Sequence, residues 1–237
     1  MRPARIPDEL RTGAFRGSAA VGAGLVTRRQ LDGVAWRRLF RDVYVHSAVA
    51  VTHESRAVAA ATLLVPGAVV TGCSAAVLWG VDLAGVEDDV ELTVPPTAHP
   101  VRMSGLRVHR TPLPDGQVRR RRGVRTTTPE ATAVRVATAL TGDDAVVAVD
   151  QVVVSGVADL QAVRALAATA RGPGTAQARR VCRLADGLAE SPQETRVRLL
   201  MARGGLPAPV AQYVVRDARG FVARVDFAWP ERRVAVE

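Results

Sequence analysis

The chain is 237 residues long and 48% hydrophobic, with a formal net charge of +9 and a pI near 11.2; every basic side chain except its four histidines is an arginine. That is enough apolar material for a buried core in one large or two to three small domains, and the charge points to an acidic partner such as nucleic acid. No signal peptide, internal repeat, glycine-rich phosphate loop or nucleophile elbow is present, and residues 65–81 are apolar but too short and too broken by glycine to cross a bilayer, so the expectation is a cytoplasmic protein with no membrane partner.

Part of the arginine excess is compositional. There is no lysine, no asparagine and one isoleucine, Ile6, a bias of GC-rich codons. The distribution says more. Residues 1–50 hold nine arginines against four acids, and residues 51–100 hold one arginine against six acids. Residues 1–14 contain Pro3 and Pro7 and read as loosely ordered. Residues 15–23 read as a helix and Gly24-Leu25-Val26 as a turn. Thr27 caps a second helix over residues 28–31, which Gly33 ends. Residues 34–40 read as a third helix and 41–46 as a strand. That order predicts a winged helix-turn-helix over residues 1–50. The stretches Phe15-Arg-Gly-Ser18, Gly24-Leu-Val-Thr-Arg-Arg-Gln-Leu31 and Trp36-Arg-Arg-Leu-Phe-Arg-Asp-Val-Tyr-Val45 resemble the amino-terminal winged-helix domain of AbiEi-type antitoxins. The resemblance implies that the strand after the third helix forms the wing. By analogy, Arg28, Arg29, Arg37 and Arg38 face DNA phosphates or groove edges. A solvated arginine face on a small protein–protein adaptor fits the same residues.

Residues 51–127 read as a mixed α/β region. A helix covers 53–64, a strand and helix 67–79, and strands 90–94, 106–109 and 123–126. Leu63–Ala68 and Ser74–Gly80 also occur in the antitoxin-like proteins, and Trp79 is expected in the core. The run Arg119-Arg-Arg-Arg122 is either a solvated loop or a salt-sensitive phosphate contact. Thr128-Pro129-Glu130 opens a helical block over 128–187, with helices at 129–140, 143–154, 159–170 and 175–186. Asp143, Asp144 and Asp150 read there as acids that favour helix starts. Cys73 and Cys182 lie far apart in helices, as reduced buried thiols of a cytosolic protein. His46, His53, His99 and His109 show no metal-ligand spacing.

Residues 188–237 carry the candidate chemistry. Ser191 caps a helix, Pro192 enters it, Glu194 completes a capping box, and Gly204-Gly205 ends it. Val197, Leu200, Met201 and Gly204 recur at helical spacing and predict the buried stripe, with Glu194 on it. Strands follow over 210–215, 221–228 and 233–237. In the second hairpin Phe227 then opposes Val236, and Asp226 opposes Glu237. Phe221, Ala223, Val225 and Phe227 share one face, and Asp226 lies on the other beside Arg224. Directly opposed carboxylates, with β-carbons about 4.5–5.5 Å apart, repel unless a cation sits between them. A hard divalent ion reverses that sign. The other arrangement open to the two acids is in water at a sheet edge.

Ser191-Pro-Gln-Glu194-Thr-Arg-Val-Arg198, Gly205-Leu-Pro207, Gln212, Arg224-Val-Asp-Phe-Ala-Trp-Pro230 and Arg233-Val-Ala-Val-Glu237 resemble the Vsr-like (very-short-patch-repair) endonuclease domain of the PD-(D/E)XK superfamily, over about a fifth of the chain. The resemblance implies a restriction-endonuclease-like α-β-β-β core. It implies that Asp226 and Glu237 bind a Mg²⁺ ion, that Glu194 supports it from the helix, and that Gln212 is a positioning residue. The superfamily's third motif places a lysine, or in this branch often an acid, two residues after the strand glutamate. That position falls past Glu237, so the core is expected to be incomplete. The expectation is therefore an α/β (α+β) chain with a DNA-docking amino terminus and a metal-dependent endonuclease end that is active when complete and inactive in the chain as it stands. The alternative is a non-catalytic, antitoxin-like transcriptional regulator that binds DNA or a toxin partner.

Overall fold

The computed structural model describes residues 6–237 and shows an α+β chain built as two compact units that meet in sequence between Thr128 and Pro129. Residues 1–5 lie outside the described part. Within the stretch expected to be loose, Asp8–Leu10 forms a 3-10 turn that buries Leu10.

The amino-terminal unit contains two sheets. The first joins β1 (Phe15–Arg16), β2 (Trp36–Phe40) and β3 (Val43–His46) in the order β1-β3-β2, all antiparallel; α1 (Gly17–Gly22) and α2 (Arg28–Leu31) lie between β1 and β2 in the chain. The expected third helix is a strand. Trp36 pairs with His46 and Arg38 with Tyr44. A seven-residue run of apolar and basic residues fits either period, and the aromatics decide it. Phe15, Trp36 and Tyr44 pack on Leu10, Ala20, Val26 and Leu31, while Phe40 and Val43 enter the larger core. The first helix likewise starts only at Gly17, because Phe15 and Arg16 pair with Tyr44 and Val43. Asp42 turns the hairpin at φ +62° and accepts bonds of 2.7 Å from both the amide and the hydroxyl of Ser18. In place of the expected helix-turn-helix stand two short helices beside a three-stranded sheet.

The second sheet is mixed, with order β6-β5-β4-β8-β7: β4 (Val69–Val70), β5 (Val90–Val94), β6 (Leu106–Arg110), β7 (Val118–Arg121) and β8 (Val124–Thr127). Helix α3 (His53–Ala59) runs on through a π turn at Ala60–Leu64, and with α4 (Gly72–Leu78) it supplies Ala57, Ala60, Ala75 and Leu78 to the core around Val70, Val90 and Leu92. Arg119, Arg120 and Arg121, read as preceding the last strand, lie on an edge strand of their own. Two buried polar groups tie this unit together. Glu91 accepts the Cys73 amide at the start of α4, and Gly72 (φ +59°) leaves the space: a Cβ there would sit 2.1 Å from a Glu91 oxygen. His53, 4% exposed, bridges the Gly85 carbonyl at 2.9 Å and the Ser74 hydroxyl at 2.7 Å.

The carboxyl-terminal unit begins with α5 (Pro129–Ala139), α6 (Gly142–Val154), α7 (Leu160–Thr169) and α8 (Thr175–Leu184). Their buried Val136, Val149, Val152, Val163 and Val181 form the helical core. Helix α9 (Pro192–Arg203) follows, then β9 (Val210–Asp217), β10 (Gly220–Trp229) and β11 (Val234–Val236) in the order β11-β10-β9. Met201, Phe227 and Trp229 pack together between α9 and that sheet.

The expected stripe of α9 is displaced. Thr195, Leu199 and Met201 are buried, whereas Val197 is 36% and Leu200 63% exposed. Polar anchors set the rotation of this helix. Asp150 is also not a helix-start acid; it lies inside α6 with no solvent exposure, and α9 docks on it through Thr195 and Arg198.

Candidate functional site

Glu194, Gln212, Asp226 and Glu237 come from α9, β9, β10 and the residue following β11. Ser191 Oγ accepts the Glu194 amide at 3.2 Å, as a cap does. The Glu194 carboxylate does not return to Ser191, so the capping box is half formed. Oε2 instead accepts the Glu190 amide at 3.0 Å and Gln212 Nε2 at 2.8 Å. The acid is thereby turned toward the sheet.

Gln212 has φ +52°. Its strand pairs Val225 with Tyr213 and Phe227 with Ala211, leaving the step between Asp226 and Gln212 out of the regular ladder. Left-handed backbone costs a non-glycine residue roughly 1–2 kcal/mol. Here it accompanies a side chain that reaches Glu194.

The β10–β11 hairpin has the register expected from sequence: Phe227 faces Val236, Ala228 faces Ala235 and Trp229 faces Val234. One further step sets Glu237 across from Asp226. The face assignment holds from Ala223 onward; before it, an irregularity between Phe221 and Ala223 leaves Phe221 63% exposed. Partial burial raises the pKa of Asp226 above the ordinary carboxylate value, and the negative charges of Glu194, Glu237 and Glu190 raise it further. Arg224 pulls it down, but Arg224 itself is paired with Glu190 at 2.7 Å. The site therefore carries negative charge that its own arginine does not balance.

An all-carboxylate donor set with surplus charge suits a hard divalent cation. Mg²⁺ usually takes only one or two protein carboxylates and keeps several waters. The hairpin register offers two carboxylates there, Asp226 and Glu237. Among the described residues no group of three or more His, Cys, Asp or Glu side chains is gathered at metal-holding spacing.

Sequence reasoning missed the support behind Glu194. Asp150 Oδ2 accepts Thr195 Oγ1 at 2.9 Å and Arg198 Nη2 at 2.7 Å, and Oδ1 accepts the amides of Asp186 and Gly187 at 2.9 and 2.8 Å. Arg198 Nη1 also donates to Leu184 O at 2.8 Å. Arg198 Nε lies 2.9 Å from Asp186 Oδ2, yet it is not aligned to donate, so that contact is ionic only. Burial raises the pKa of Asp186, with Asp150 adding to the rise and Arg198 opposing it. The usable signal was one acid inside the valine-rich run Val146–Val154.

The four named arginines do not form one row. Arg28 and Arg29 are exposed at the start of α2, a helix of four residues. Arg37 and Arg38 are consecutive in β2 and leave opposite faces of the sheet. Arg37 Nη2 donates to Val49 O at 2.6 Å and Arg38 Nε to Phe40 O at 3.3 Å.

No protein-family model matches the sequence. Over 134 residues the chain is 37% identical to the uncharacterized proteins MT2308 and Rv2248 of two Mycobacterium tuberculosis strains, a match that covers 56% of this chain and 49% of each of those proteins. The chain thus spans about half the length of the curated relatives it matches. The crystal structure of the RV2827C protein from Mycobacterium tuberculosis aligns over 87% of this chain and 84% of that one, with a TM-score of 0.49 and 17% identity.

Proposed function

We propose that the chain is a cytoplasmic DNA-binding protein whose carboxyl-terminal unit holds a Vsr-like, Mg²⁺-dependent site for phosphodiester hydrolysis. Asp226 and Glu237 are the metal ligands, Glu194 is the supporting acid, and Gln212 fixes its direction. The observation that carries this reading is the hairpin register that brings Glu237 across from Asp226, beside a Gln212 held in left-handed backbone and bonded to Glu194. When bound, the ion supplies Lewis acidity at a phosphate oxygen and acidifies a water. The chain's own residues contribute placement. Gln212 holds the Glu194 carboxylate, and Asp150 holds the helix that carries it. Arg28, Arg29, Arg37 and Arg38 are the amino-terminal candidates for phosphate contact. The free thiols Cys73 and Cys182 accord with a reducing compartment.

A nicking assay on supercoiled plasmid tests this. A chain that carries the third-motif position is expected to nick with Mg²⁺ or Mn²⁺ and to stop with chelator, and Asp226→Asn and Glu237→Gln in it are expected to be inactive. No nicking by that chain at any metal concentration contradicts the catalytic reading. One observation favours the second reading, an antitoxin-like regulator that binds DNA or a toxin partner. The Glu194 carboxylate already accepts the Glu190 amide, as a structural cap does. DNA binding without cleavage is the outcome that reading expects.

A further inference from the structure

We propose that the β7–β8 edge of the amino-terminal unit is a docking surface for the phosphate backbone of DNA. Strand pairing sets Arg120 directly opposite Arg125. Like charges so placed destabilise an antiparallel pair. Both residues are exposed, as is Arg119, and among the described residues none of the three makes an ion pair with a carboxylate. Their guanidinium groups reach only backbone oxygens: Arg119 Nη1 to Val118 at 2.9 Å, Arg120 Nη1 to Gly123 at 3.3 Å and Arg125 Nη1 to Gly67 at 3.1 Å. A guanidinium has five N–H donors, so most of each fork is left for an anion.

The neighbouring arginines differ. Arg121 lies over the Trp79 ring at 5.3 Å and donates to Leu78 O, and Arg122 pairs with Glu54 at 3.2 Å. Those two have structural work; Arg119, Arg120 and Arg125 have charge with no internal counterpart. Their platform is stiff. Arg122 (φ +52°) and Gly123 (φ +79°) are both left-handed, which closes the hairpin in two residues. β7 ends the sheet, so among the described residues no further strand pairs with its outer edge. Alternation places Arg120 and Arg125 on one face and Arg119 on the other, and a strand of phosphates lying along the edge meets cations from both sides. The choice of DNA as the polyanion rests on the function proposed above; the surface itself rests on these uncompensated charges.

The test is fluorescence anisotropy of a labelled DNA duplex with the full chain across a salt series. Wild type is compared with Arg119→Gln/Arg120→Gln/Arg125→Gln and with Arg28→Gln/Arg29→Gln, and poly-glutamate serves as a competing polyanion. The edge variant is expected to lose at least about tenfold in affinity at low salt, and its log–log salt slope to fall by about 2–3. Its melting temperature is expected to hold or rise, since a like-charge pair has been removed. Wild-type affinity and slope in the edge variant, with binding lost in the Arg28/Arg29 variant, overturn the edge and leave the DNA reading standing. A wild type that ignores duplex DNA but binds poly-glutamate overturns both and assigns the surface to an acidic protein.

Discussion

Arg198 donates a 2.7 Å hydrogen bond to Asp150, a carboxylate with no solvent exposure midway along α6. A buried acid is tolerable only when charge-paired and fully bonded. Asp150 accepts four hydrogen bonds, two from α9 and two from the turn after α8. This contact makes the helical block and the segment resembling a nuclease one folding unit. It also gives Thr195 and Arg198 of the Ser191–Arg198 motif a role distinct from chemistry: they seat the helix that presents Glu194. Removing one partner of such a pair costs about 3–5 kcal/mol. Arg198→Met is therefore expected to lower the melting temperature of the carboxyl-terminal unit strongly. Thermal unfolding followed by circular dichroism checks this; an unchanged transition contradicts it.

Gly187 is the backbone half of the same arrangement. Its φ is +67°, and a Cβ there would lie 2.4 Å from Val153 Cγ1. Left-handed strain and overpacking together predict a loss of about 2–4 kcal/mol for Gly187→Ala. Adding Val153→Ala should restore part of it, because the clash is with that side chain. Chemical denaturation of both variants measures the difference, and no rescue by the second substitution places the cost in the backbone alone.

Asp226 gives a pH prediction of definite sign. Its folded pKa is raised above the ordinary 3.8. The folded state thus favours the proton, and the associated stability is present below the unfolded pKa and lost as pH rises through the folded one. Asp226→Asn is expected to raise the melting temperature at neutral pH without metal, and to make no difference well below pH 3.8. A lower melting temperature for the variant at neutral pH contradicts the charge crowding.

His53 titrates in the opposite sense. Burial, chiefly, and the charge of Arg56 lower its pKa below 6.5, against the raising effects of the Gly85 carbonyl, Asp88 and Glu91. The carbonyl requires the proton on Nδ1, so Nε2 accepts from Ser74. Stability of the amino-terminal unit is full above the unfolded value and is lost as pH falls below it toward the lowered folded value. His53→Gln should flatten the stability slope between about pH 7 and 5. An equal slope in the variant assigns that pH dependence to other groups.

Much of this fold was legible where chain chemistry is local. Proline, glycine and capping residues place α5 to α9 within a residue or two of their expected ends. The turn at Trp229–Arg232 fixed the Phe227–Val236 register correctly. Legibility failed where a distant partner decides. Residues 36–40 fit a helical or an extended period until β3 and Phe15 claim them. The rotation of α9 depends on Asp150, more than forty residues away, and a hydrophobic stripe cannot report a polar anchor. At the candidate site the residue types and register could be read, but the left-handed Gln212 and its bond to Glu194 could not, because both depend on the packing of helix against sheet.

The most direct test of the central claim is calorimetric titration of Mg²⁺ into the wild-type chain and into Asp226→Asn. A saturable, roughly one-to-one isotherm is expected for wild type, and its loss in the variant, on the proposal that the facing carboxylates of Asp226 and Glu237 hold the ion. Equal binding in both proteins, or none in either, contradicts it.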